Sequence, residues 1–199
     1  MKETLIFISL FFFTFFGCQK TNSTNRIIDR ELEKLKTIED KKAYLEAIFE
    51  ADQELRRSSE DSEIMLKYGV NSKEHIAFTK RMIAQDSINL IKIEKYLAKY
   101  GYPKLKDFGE IATCTPNVVI HHAQSYEARE RNFECLYGAY LNGNNGGMAM
   151  LLGRMYRMKY RKSFRIDGPF TSEGEINQLI SKLGLESRQA KVLQKLKKA

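Results

Sequence analysis

Proline is scarce in this chain, with three residues in 199, and three of the twelve glycines fall in one short stretch, "LNGNNGG", Leu141 to Gly147. Few positions therefore force the backbone out of a helix, and the apolar residues recur mostly at helical spacing. No internal repeat is visible. The three histidines and three cysteines form no HxxxH or CxxC pair. A tetrahedral metal site needs such spacing, so no metal is expected. No Ser or Cys nucleophile elbow is present. "GNNGGMAM" lacks the GxGxxG or GxxxxGK spacing of a phosphate-cradling loop, and no strand precedes it, so it reads as a plain helix–helix connection. No cofactor is expected.

Acidic residues are the minority among the charges. Lys and Arg number 33 against 25 Asp and Glu, a net charge of +8. A basic domain near a bilayer can lean on anionic lipid or an acidic envelope polymer, although a solvated lysine-rich face is the simpler reading. "GRMYRMKYRKSFR" interleaves aromatic and basic residues, but its Met at helical spacing reads as core, and nucleic acid is not an expected partner.

Long apolar runs are also missing after the first residues. "LIFISLFFFTFF", Leu5 to Phe16, follows the positive Lys2 and is too short to span a bilayer as a mature helix. It fits the apolar region of a signal peptide. Gly17-Cys18 follows, and a small residue directly before cysteine is what lipoprotein signal peptidase requires. Cys18 is thus the expected lipidated first residue of a bacterial lipoprotein. Residues 1–17 are the expected signal peptide, and the polar stretch 18–25 is a flexible tether. Several acyl chains on Cys18 anchor a protein stably where a single one does not. Removing one Lys and one Glu with the signal leaves the +8 unchanged. The expected location is the cell envelope, with the chain lipid-anchored to a membrane and facing the periplasm or the surface.

Residues 26–199 provide about 175 residues, enough for one domain with a real core. The spacing predicts an all-α, bundle-like domain of five or six helices. The first runs from about Ile27 to Ser59. The second runs from Ser72 or Lys73 to Tyr100, with Ser72 as N-cap and Gly101 where a C′ glycine belongs. A loop is expected through "YPKLKDFGEIATC". Thr115-Pro116 then opens a third helix as N-cap and first-turn proline. A fourth covers Met148 to Lys159, a fifth Ser172 to Leu183, and a basic helical tail closes the chain.

Four of these helices place polar residues in or beside apolar stripes. At 100° per residue, Asp52 falls over Leu45, between Ile48 and Phe49, and Arg56 shares that face. Asp86 sits among Met82, Ile83, Leu90, Ile93 and Leu97, flanked by Asn89. His122 lies on the side of Val118 and Val119, and Arg154 flanks Leu151, Leu152, Met155 and Met158. A buried charge is costly unless it is paired, so these groups are expected to meet in one interhelical cluster. Such a cluster can fix helix packing, orient a small polar ligand, or carry acid–base chemistry on Asp52, Asp86 and His122. Neighbouring His121 points about 100° away, so the pair cannot grip one ion.

The same residues fall in an ordered pattern. "DQELRR" (Asp52 to Arg57), "DSIN" (Asp86 to Asn89), "GYP" (Gly101 to Pro103) and "IHHA" (Ile120 to Ala123) resemble, over about residues 46–154, the bacterial family of domains of unknown function numbered 6624. The resemblance implicates Asp52, Gln53, Arg56, Asp86, Asn89, Gly101, Pro103 and His122. Tyr102 stands where that pattern has Trp, His121 where it has Gln, and Gly153-Arg154 where it has Asp-Arg. The resemblance implies no activity. The expected function is a binding module for a small polar ligand or an envelope partner. The alternatives are a hydrolase-like Asp/His enzyme and a structural envelope protein whose cluster only fixes packing.

Cys114 and Cys135 would be about 30 Å apart on one continuous helix, too far for a disulfide. A new helix start at Ser125 would allow a hairpin that brings them together. Two free, largely buried thiols are expected.

Overall fold

Thr37 and Asp40 interrupt what periodicity alone reads as one long first helix. The Thr37 hydroxyl accepts from the Asp40 N–H at 3.0 Å, and the Asp40 carboxylate accepts from the Thr37 N–H at 2.9 Å. This reciprocal capping box satisfies donors that a helix start leaves free. In the computed structural model, which describes residues 23–168 and 170–198, a helical segment α1 over 23–34 therefore ends before α2 (Ile38–Arg57) begins. Ser58 and Ser59 break the chain again ahead of α3 (Glu60–Tyr68). The helix expected over Ile27 to Ser59 is thus two helices. Residues 23–25, expected in the tether, are already helical, while the expected signal peptide, Cys18 and the rest of the tether lie outside the described residues.

α4 (Lys73–Tyr100) follows the sequence reading closely. The Ser72 side chain accepts from the His75 N–H, and Gly101 ends the helix with φ 76°, a backbone region open to glycine. α5 (Leu105–His122) departs from it. The stretch expected as a loop is helical from Leu105, with one irregular residue at Gly109, and Pro116 lies inside the helix. Thr115 is not a cap: its hydroxyl donates back to the Ile111 carbonyl at 2.7 Å instead of accepting from a later N–H. The chain then breaks at Ala123, and Ser125 caps α6 (Tyr126–Leu141). α7 (Met148–Tyr160), α8 (Ser172–Leu183) and α9 (Glu186–Lys198) complete the fold. The architecture is all-α, with no strand among the described residues, and eight helices follow the segment over 23–34 where five or six were expected.

α2 packs chiefly on α5, α7 on α8, and α6 on α9. The core between them includes Leu45, Ile93, Ile120, Phe133, Leu151 and Leu179, none of which reaches solvent. Each such side chain contributes about 1.5–3 kcal/mol. Tyr100 ties α1 down, its hydroxyl donating to the Leu32 carbonyl at the end of that segment. The face of α4 turned inward is Phe78, Asp86, Asn89, Ile93 and Tyr96. It is rotated slightly from the expected stripe, so that Ile83 is exposed. No described helix is long and apolar enough to cross a membrane. Cys114 and Cys135 are free thiols, but Cys114 is exposed and not buried as expected. Desolvation by the atoms packed around each sulfur, partial for Cys114, is the first cause that raises the pKa of each.

Candidate functional site

Asp52 comes from the inner face of α2, one turn beyond Ile48, and is completely buried. A carboxylate there needs donors, and three side chains supply them. His122, in the last turn of α5, places Nδ1 2.8 Å from Oδ2 and 3.1 Å from Oδ1. The Gln53 amide donates at 2.7 Å. The Arg56 guanidinium stands 3.5 Å from Oδ1 and also donates to the Asp52 backbone carbonyl. Because an ionised carboxylate only accepts, His122 donates to Asp52 through its Nδ1–H.

Asp86 arrives from α4, almost fully buried. Arg56 bridges the two carboxylates, donating to Asp86 Oδ1 at 2.7 Å. Gln124, placed by the break between α5 and α6, donates to Asp86 Oδ2 at 3.1 Å. Asn89, one turn on, accepts from Gln85 at 2.9 Å, while its own Nδ2 is buried and unpaired. Asp52, Arg56, Asp86 and His122 therefore meet as expected, Gln53 joins them, and Asn89 borders them. The cluster is not sealed: the side chains of Arg56 and His122 keep 21% and 24% of their surface.

Arg154 does not join this group. It is exposed on α7 and lines a cleft of about 430 Å³ with His121, Arg157, Ser163, Phe164 and Glu175. The reason is geometric. His121 and His122 are successive residues of one helix, and their ring centroids are 5.5 Å apart with planes at 65°. His122 faces α2 and His121 faces α7. Burial lowers the His121 pKa to about 4, helped by His122, Arg129, Arg154 and Arg56. Gly101 and Pro103 shape the turn between α4 and α5.

Gln124, Gln85 and Arg129 were not among the expected site residues. Gln124 carries no periodic signal because it lies in the break. Arg129 did carry one: it precedes Phe133 and Leu136 by four and seven residues, and both are fully buried. Its stretch, "YEARERNF", is dense in charge, which masks the stripe. Among the described residues, no group of three or more His, Cys, Asp or Glu is placed to hold a metal ion. Comparison with protein-family models, curated proteins and solved structures found no match.

Proposed function

We propose that this protein is a lipid-anchored envelope module that binds a small polar ligand at the mouth of the Asp52–Arg56–Asp86–His122 cluster. The observation that carries the reading is the cluster's gradient of exposure. Its carboxylates are out of water, while Arg56 and His122, which hold them, each keep about a fifth to a quarter of their side chains at the surface. Fixed polar groups opening outward are what orients a ligand. The anchor is Cys18, and the ordered motifs support membership of family 6624. Radiolabelled palmitate incorporated by the chain but not by Cys18→Ala tests the anchor. A thermal-shift screen of polar metabolites on the wild type, Arg56→Gln and His122→Gln tests the site. A ligand that stabilises the wild type but neither variant supports the reading. A ligand that stabilises all three equally refutes it.

One observation favours acid–base chemistry as a second reading. Asp52 holds His122 through Nδ1 alone, and Nε2 has no partner among the described residues, the arrangement in which an imidazole moves a proton. Retained ligand affinity with lost turnover in His122→Gln selects that reading; lost affinity selects binding.

A further inference from the structure

Among the described residues, Arg129 is the largest fully buried polar side chain, and no carboxylate pairs with it. Its guanidinium donates to the Ser125 carbonyl at 2.8 Å and to the His121 carbonyl at 2.5 Å, and it touches Met158 Sδ at 3.0 Å. Nε has no partner. Buried guanidinium groups are ordinarily matched by an anion, because desolvating an uncompensated charge costs several kcal/mol. Burial, and then Arg154, lowers its pKa only to about 10, so it remains charged.

The cleft beside it compounds the imbalance. Arg154 and Arg157 line the cleft with His121, whose Nδ1 is buried and unbonded, and with the Ser163 hydroxyl. Glu175 is the one carboxylate in that lining. The lining itself holds two guanidinium groups against one carboxylate, and Arg129, bonded to the His121 carbonyl behind it, adds a third cation. The neighbouring Asp52–Asp86 cluster differs, since each of its carboxylates meets the Arg56 guanidinium and a further side-chain donor, His122 or Gln124.

We propose that the cleft between α5, α7 and the segment entering α8 binds a phosphate group. Arg154 and Arg157 grip its oxygens, His121 and Ser163 contribute hydrogen bonds, and Arg129 supplies positive potential from behind the His121 carbonyl. A guanidinium fork matches the paired oxygens of phosphate, and a phosphate dianion balances the surplus charge. This cleft lies on the α7 side of α5, apart from the mouth of the Asp52–His122 cluster, so it is a second site and stands independently of the reading above.

Calorimetric titration of the full chain, as isolated, with inorganic phosphate and with glycerol phosphate tests it. Binding is expected, with acetate at equal ionic strength far weaker. Arg154→Gln and Arg157→Gln, both on exposed side chains, should each weaken phosphate by about tenfold or more. Lys106→Gln, in the separate basic cleft lined by Tyr102, Arg131 and Lys195, should not change it. Cosedimentation with phosphatidate vesicles, compared with neutral vesicles, distinguishes a lipid headgroup from a free phosphate ester. Phosphate that fails to bind at ~10 mM, or that binds Arg154→Gln as well as the wild type, overturns the inference. A neutral ligand lost in His122→Gln would in that case leave the binding reading standing, and no ligand of either class would sink both.

Discussion

His121 makes the protein's acid sensitivity a test of the cationic cleft. Folded, its pKa is about 4 against an ordinary 6.5, first because it is buried and then because His122, Arg129, Arg154 and Arg56 face it from α5, α6, α7 and α2. Arg157 and Glu175 complete the charged lining. Below pH 6.5 the unfolded chain takes up a proton on this residue that the folded chain refuses. Stability present at pH 7 is therefore lost as pH falls from 6.5 through about 4. At about 1.4 kcal/mol per pH unit, the gap corresponds to roughly 3.5 kcal/mol; screening at the cleft mouth reduces the expected loss to about 1–2 kcal/mol. Urea unfolding of the wild type and His121→Gln, at half-unit steps from pH 7 to pH 4, isolates the effect from the general titration of carboxylates. The wild type should lose about 1–2 kcal/mol relative to the variant across that window, and phosphate in the buffer should shrink the difference. Parallel curves for the two proteins would show that His121 does not sit in a buried cationic field.

Asp52→Ala removes the acceptor shared by His122, Gln53 and Arg56, and should cost about 1–3 kcal/mol in urea unfolding. Gly147→Ala should also destabilise by about 1–3 kcal/mol, because a Cβ there would lie 2.1 Å from Asn117 Nδ2; Gly146→Ala, with nothing within 4 Å, should be nearly neutral. Arg129→Met should leave thermal stability equal or higher, since it replaces an unmatched buried cation with an apolar side chain of similar length, while weakening phosphate binding. A large drop in Tm would instead mean that its three bonds, and not its charge, explain its retention.

The parts of the fold legible in the sequence were those with two independent signals. α4 had Ser72 at one end, Gly101 at the other and an apolar stripe between, and its bounds match. α7 and α8 were similarly punctuated. Errors arose where one residue had two possible bonding partners. Thr115 before Pro116 has the composition of a helix start, but its hydroxyl reached backward to Ile111, and the helix ran through. Thr37 was the converse case: its capping box with Asp40 was present in the sequence, yet the surrounding helical spacing concealed that the helix changes direction there.

The site divides along the same line. Asp52, Asp86 and His122 could be found because a charge at the centre of an apolar stripe must be compensated, and helical phase locates it to within one residue. Phase also separated the two histidines, but it could not say what each would face. That depends on the break at Ala123–Ser125, which swings α6 across and buries Arg129 against the His121 carbonyl. His122 consequently enters a group in which carboxylates meet their donors. His121, one residue before it, borders a group in which guanidinium groups outnumber carboxylates. An apolar stripe in a sequence can expose a misplaced charge, but it carries no record of whether a counter-charge will arrive from another helix. For Arg129 none arrives from the described residues, and that shortfall is the reason to look for its partner in a ligand.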